Sequence, residues 1–393
     1  EELQALAHPF RLGADKARGV HYLIAAGDWA RSTFANADAI GHYELALETL
    51  PAGTAEADRL VIHERLGDVL APAGRIAAAT RHLDAARAGH SLRGDAVAQA
   101  RVLRKIAALH WEAGQRAEAK QCLSAGLALI DRGAAHIELA WLYQKMGELE
   151  FRSGDSRGAL QWAQRALAHV DALASRDGEA RAAVALALNI QGVALARLDR
   201  LDEAVAQLEH SVAVAREADL PQAECRALSN LGVLYSSRDP QLAIDACERG
   251  LQTAMRIGDL GLQSRLSANL AVAYCTLTNR CDERGVSAAH AAIRIDRSTG
   301  QLDHLAVSLV VLAQIYQCHG EPARALRHYR EALELAERSA EPQLLFPCYD
   351  GLASLYLDLD DGAQAERYMA LARDTCERAG LDPDALIVLP FLA

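Results

Sequence analysis

Apolar and polar residues recur along this chain with the spacing of helices. The segment GEPARALRHYREALELA, residues 320–336, shows the pattern. Small residues at Gly320, Ala325 and Ala332 bracket one large ring at Tyr329. The spacing returns 40 residues later, where Ala365, Met369 and Ala372 follow a helix carrying Leu352, Ala353 and Tyr356. Along the chain, the small residue of the first helix falls at 67, 107, 147, 192, 232, 271, 313 and 353. The steps are 40, 40, 45, 40, 39, 42 and 40, a period that signals a solenoid of stacked units. Each unit reads as two helices joined at a turn bearing Gly or Asp: Gly74, Gly114, Gly154, Asp199, Gly320 and Asp360. Such turns call for a left-handed cap. The alanines let two backbones approach, and Tyr329 is expected to fill the gap toward the next unit.

Three places break the period. Extra residues lie at 171–181 and 276–284, and the unit around Gly232 is one residue short. Bends or exposed loops are expected there.

Composition agrees with close helix packing. Hydrophobic residues make up 51% of the 393, yet aromatics only 5%, so the apolar mass is mostly Ala, Leu and Val. Alanine is the strongest helix former. No run of 18 apolar residues offers a membrane span, and no secretory leader opens the chain. It begins with Glu1 rather than Met, which reads as a fragment or a processed chain. The eight cysteines are scattered without a CxxC and read as buried thiols in a reducing cytoplasm. A net charge of -11 argues against a nucleic-acid binder, whose footprint is a basic surface.

The Leu-Gly pair, the aromatic three residues on, and the Ala-aromatic-Ala face resemble the tetratricopeptide repeat over about residues 14–380. The longer period is similar to the extended subtype of kinesin-light-chain-like proteins and bacterial signalling ATPases. That resemblance implies an all-α, right-handed superhelical solenoid of about nine or ten helix pairs with a period near 40 residues. The opening stretch carries Leu6, Ala7, His8, Gly13, Tyr22, Leu23, Gly27, Asn36, Ala39, Ile40, His42, Tyr43 and Ala46. It resembles the junction that follows the NTPase module in class III adenylate/guanylate cyclases fused to an AAA-type ATPase, and in related large transcription activators. Pro9 departs from that pattern. The organisation expected is junction repeats over 1–50, a superhelix over 51–380 and a tail over 381–393.

Catalytic signatures are missing. There is no GxxxxGK[ST], GxGxxG after a strand, HExxH or GxSxG, so no enzyme is expected, and no cofactor or metal site. The histidines, His8, His42 and His328 among them, have no ligand spacing. The acidic run at 358–361 reads as a helix cap rather than a cation site.

What remains is a surface. In the tetratricopeptide family the first helix of each pair lines the inner wall. At the family's wall positions, the five central units place Arg101, Arg104, Lys105, Trp111 and Glu112; then Trp141, Gln144, Lys145, Glu148, Phe151 and Arg152; then Asn189 and Arg197; then Arg226 and Asn230; then Arg265 and Asn269. Eight of these are basic and two acidic, a wall of +6 in a chain of -11. Such a groove suits an acidic or carboxylate-bearing ligand. The alternative is that some of these charges point sideways. Asn230 and Asn269 share one position, where the family resemblance implies an amide that clamps peptide main chain. The alternative is an amide bonded within its own or the neighbouring helix. Trp111, Trp141 and Phe151 read equally as pockets or as filler.

The expected function is a non-catalytic interaction and sensor module of a larger bacterial signalling protein, binding a peptide or protein partner, or other domains of the same parent. A sensor of a small anionic inducer and an oligomerisation scaffold are the alternatives.

Overall fold

The computed structural model describes residues 16–33, 35–50, 56–113, 115–130, 136–173, 177–236, 238–278 and 282–380. The junction residues Leu6, Ala7, His8, Pro9 and Gly13, the turn residue Gly114, Cys281, the Glu112 side chain and the tail 381–393 lie outside them. So do parts of the two insertions.

The described residues form 18 helices and no strand. They pair as α1 (Lys16–Ser32) with α2 (Asn36–Thr49), α3 (Glu56–Leu70) with α4 (Ile76–Leu92), and α5 (Ala96–Glu112) with α6 (Arg116–Leu129). Next come α7 (Ile137–Arg152), α8 (Ser156–Ala172), α9 (Gly178–Arg197) and α10 (Leu201–Glu217). Then follow α11 (Pro221–Ser236), α12 (Pro240–Arg256), α13 (Leu260–Thr278) and α14 (Glu283–Thr299). The series ends with α15 (Leu302–Cys318), α16 (Pro322–Ser339), α17 (Pro342–Asp358) and α18 (Gly362–Ala379). This is the all-α helix-pair solenoid that the period predicts.

Helix α16 shows why these residues fold this way. Pro322 opens that helix at a position where its missing N–H costs nothing. Ala325, Tyr329, Ala332 and Ala336 are its buried residues and share one face. Tyr329 packs its ring against Gly351 of α17, the next unit, as the gap-filling expectation requires. The reciprocal fit occurs inside pairs: Leu83 packs against Gly67, and Leu208 against Gly192. The small residue of the first helix is thus the seat for the large residue of the second. The connecting turns have positive φ at Gly74, Gly154, Asp199, Gly320 and Asp360. Asp361 is a cap, as the acidic run suggested: its carboxylate accepts from the Gln364 N–H at 3.2 Å.

The chain divides into two compact units, residues 1–145 and 146–393. Unit 1 has a core that runs through Leu23, Tyr43, Leu66, Leu83 and Ile106. Unit 2 has one cluster around Phe151, Ile190, Leu208 and Leu231, and another around Leu309, Leu312, Tyr329 and Leu352. Within unit 2 the first helices touch one another in series, α9 with α11, α11 with α13, α13 with α15 and α15 with α17. The second helices pack chiefly on first helices. A stack whose first helices crowd together curves with that layer inside.

Candidate functional site

In unit 1 the basic wall residues are met by carboxylates: Glu64 and Asp68, three before and one after Gly67, stand at wall positions of the preceding unit, and Glu138 lies outside them. Glu64 of α3 is only 7% exposed. Its Oε1 and Oε2 accept from Arg101 Nη2 and Nε at 2.8 and 2.9 Å. Oε1 also lies 2.9 Å from His90 Nε2, and Oε2 accepts from Lys105 Nζ at 3.2 Å. Lys105 donates to Asp68 as well, at 2.9 Å. Burial alone would raise the Glu64 carboxyl, but the Arg101 hydrogen bonds and the charges of Lys105 and Arg101 outweigh it and hold the group at about 2. Arg104 grips Glu138 with two bonds, at 2.6 and 3.1 Å, and Glu138 is 3% exposed. The +6 wall is therefore overstated here. Glu64, Asp68 and Glu138 neutralise Arg101, Arg104 and Lys105. Arg104 also lies over the Trp141 ring, and Arg116 over that of Trp111, which is buried. Gln144 is buried and Lys145 half-buried.

In unit 2 the asparagines knit the inner layer. Asn230 Nδ2 of α11 donates to Asn189 Oδ1 of α9 at 2.9 Å. Asn269 Nδ2 of α13 donates to the Ser229 carbonyl and hydroxyl at 2.9 and 3.0 Å. All three amides are buried. They bond to neighbouring inner helices, the alternative that the sequence left open.

The arginines of this unit gather. Arg265 Nη2 of α13 lies 3.5 Å from His304 Nε2 of α15. Burial, with the charges of Arg265, Arg152 and Arg226, pushes the His304 imidazole down to about 3. Burial, then Arg226 and Arg152, lowers Arg265 to about 10, against the opposing pull of Asp296 and Glu148. Arg226 is exposed, while Arg152, Arg265 and His304 are half-buried. Arg197 is 7% exposed, with its guanidinium 4.2 Å from the Phe151 ring centre.

One residue draws the ends of unit 2's inner layer together. Gln343 of α17 donates from Nε2 to the carbonyls of Phe151 and Arg152, at 3.1 and 2.7 Å. Its Oε1 accepts from Arg197 Nη2 at 3.3 Å. Arg226, Arg265, His304 and Gln343 recur at steps of 39 residues, one per unit. His304 and Glu138 each stand nine residues before their unit's small residue, one turn beyond the family's wall positions. The longer helices of this chain carry the wall further than the shorter repeat does.

The tetratricopeptide repeat family matches residues 305–342. No curated protein matches the chain. Solved structures share its fold. A Rap protein complexed with competence and sporulation factor covers 92% of this chain and 99% of its own, at 14% identity and a TM-score of 0.64. The Rap conjugation gene regulator of plasmid pLS20, in complex with the Phr* peptide, covers 99% of this chain and 97% of its own, at 11% identity and a TM-score of 0.54. A signal transduction ATPase with numerous domains from Pyrococcus horikoshii, which has a tetratricopeptide repeat sensor, covers 89% of this chain at 14% identity and a TM-score of 0.53. The match spans 55% of that ATPase. At these identities the likeness is one of fold. Among the described residues no group of three or more His, Cys, Asp or Glu could hold a metal ion, and no helix is long and apolar enough to cross a membrane.

Proposed function

We propose that the chain is a non-catalytic regulatory interaction module whose unit 2 takes an extended peptide, or an extended segment of a partner protein, on its inner face. One observation carries this reading. A continuous layer of first helices is drawn together by Gln343 and gathers Arg152, Arg226 and Arg265 near one histidine. Arginines gathered on a concave face favour an acidic ligand. The amides of Asn189, Asn230 and Asn269 lie in the same layer and tie its helices to one another. The ligand rests on unit 2 rather than on Arg101, Arg104 and Lys105, whose charges are already met. Trp111, Gln144 and Lys145 then serve as structure.

Peptide-bound solenoids of like fold support this reading, and the ATPase with a repeat sensor supports a place in a larger signalling protein. The scatter of the cysteines, without a CxxC, suits the cytoplasm. The test is to pan a displayed random-peptide library against the full chain and to follow amide hydrogen exchange with each enriched peptide. Slowed exchange in α11 and α13 is expected. If no enriched peptide protects those helices, the inner face is not the binding surface.

A further inference from the structure

Arg197 ends α9 with its charge buried and unpaired. It is 7% exposed, and its Nε and Nη1 are buried with no hydrogen-bond partner. Among the described residues no carboxylate bonds to its guanidinium. Nη2 donates to Gln343 Oε1 at 3.3 Å, longer than an ordinary N–H···O bond. The Phe151 ring centre lies 4.2 Å from the guanidinium carbon and attracts the cation, but it takes no hydrogen bond from Nε or Nη1. Burial lowers the pKa of the group to about 10, so the group still carries its proton at neutral pH. Unit 1 is the internal contrast. Arg101, Arg104 and Lys105 are less buried than Arg197, yet each has a carboxylate within 3.2 Å. A buried cation without a counter-charge costs stability, and an apolar side chain of similar length avoids that cost.

We propose that Arg197 anchors a carboxylate of the peptide bound on the inner face of unit 2, and that Gln343 is the latch this carboxylate displaces. This rests on the reading of that inner face as a binding surface. Arg197 lies in the same layer, between the end of α7 and the start of α17. A guanidinium grips a carboxylate along one edge, with Nη2 and either Nε or Nη1 as the two prongs. Nε and Nη1 are free, and Nη2 is engaged by the Gln343 amide oxygen alone. A carboxylate accepts more strongly than an amide, because both ends of the bond are then charged. Oε1 and Nε2 of Gln343 belong to one planar amide. When that amide leaves Arg197, it also leaves the carbonyls of Phe151 and Arg152 and makes room at the Nη2 edge. Capture of the ligand and release of α17 from α7 are then one event.

The experiment is calorimetric titration of the full chain with acetyl-tetraglutamate amide, acetyl-tetraalanine with a free carboxyl terminus, and acetyl-tetraalanine amide, which has no carboxylate. Saturable binding of the first or the second is expected, and none of the third. Which of the two binds assigns the carboxylate to a side chain or to a chain end. Arg197→Met should weaken that binding at least tenfold. Gln343→Ala, which removes the competing amide, should tighten it at least threefold. Arg238→Gln, which removes an exposed partner of Asp202, leaves it unchanged. Urea unfolding without peptide separates a binding role from a structural one. Arg197→Met should raise the midpoint, because an apolar chain replaces an unpaired buried charge. A lower midpoint shows that the fold needs Arg197 for its own stability and overturns the proposal. So does the lack of saturable binding by either carboxylate peptide, equal binding of the neutral amide, or binding untouched by Arg197→Met. Affinity unchanged in Gln343→Ala overturns the latch. Enriched peptides that protect α11 and α13 while no carboxylate probe binds sink this proposal and leave the peptide surface standing. Carboxylate binding lost in Arg197→Met, without any protecting peptide, does the reverse.

Discussion

Gln343 Nε2 donates a 2.7 Å hydrogen bond to the carbonyl of Arg152, 191 residues earlier. The bond joins the first inner helix end of unit 2 to the start of α17, so it forms only when the repeats between them are stacked. Gln343→Ala removes this bond, that to Phe151 and that from Arg197. At roughly 0.5–1.5 kcal/mol each, the loss is about 2 kcal/mol or more. Hydrogen exchange should quicken in the last turn of α7 before it changes in α12 or α14. Exchange that rises evenly over unit 2 would show that Gln343 closes nothing.

Glu64 should be the most sensitive carboxylate of unit 1. Its pKa falls from 4.5 to about 2 on folding. A depressed carboxyl contributes stability that is present above the unfolded value and is lost as pH falls through the folded one. The difference amounts to about 3 kcal/mol. Glu64→Gln should cost about that much at pH 7, because Arg101 and Lys105 lose their shared counter-ion. The gap between wild type and variant should close between pH 4.5 and pH 2. Urea melts at several pH values check this, and a pH-independent gap would argue for packing instead.

Tyr329 and Gly351 form a packing pair across two units. Gly351→Ala puts a methyl group into the space of the Tyr329 ring. Overpacking of this kind costs roughly 1–3 kcal/mol. Shortening the partner with Tyr329→Leu should recover part of the loss, so the two changes should be non-additive in a double-mutant cycle. Additive losses would mean that the ring and the glycine are not in contact.

Ala340 ends α16 in the left-handed region, at φ 54°. A residue with a Cβ pays strain there that glycine avoids. Ala340→Gly should therefore stabilise the chain by about 0.5–1 kcal/mol after the entropy of the freer unfolded chain is counted, read as a higher urea midpoint. A fall in stability would count against the left-handed cap.

The repeat was legible in single residues. Gly67, Gly192, Ala325 and Tyr329 show in the sequence because each pairing recurs at a fixed step, and recurrence is visible without coordinates. The wall was half legible. Arg226 and Arg265 follow from their spacing. His304 and Gln343 continue the same 39-residue step, yet they stand outside the wall positions of the shorter family repeat. Glu64, Asp68 and Glu138 could be seen as acidic residues but not as partners, because their bonds to Arg101, Arg104 and Lys105 span 34 to 41 residues between neighbouring helices.

By itself the sequence determined the helix pairs, their period, their left-handed turns and the small seats that receive large side chains. These depend on contacts between adjacent units, and adjacency in a solenoid follows chain order. Only the tertiary structure decided which charges meet. A charge is cancelled or left standing by whatever lies within a few ångströms, since Coulomb energy depends on distance and surroundings rather than on sequence separation. Arg101 and Arg265 occupy the same position in their repeats, six residues before the small residue. The fold sets Glu64 against the first, and Arg226, Arg152, Asp296 and Glu148 around the second.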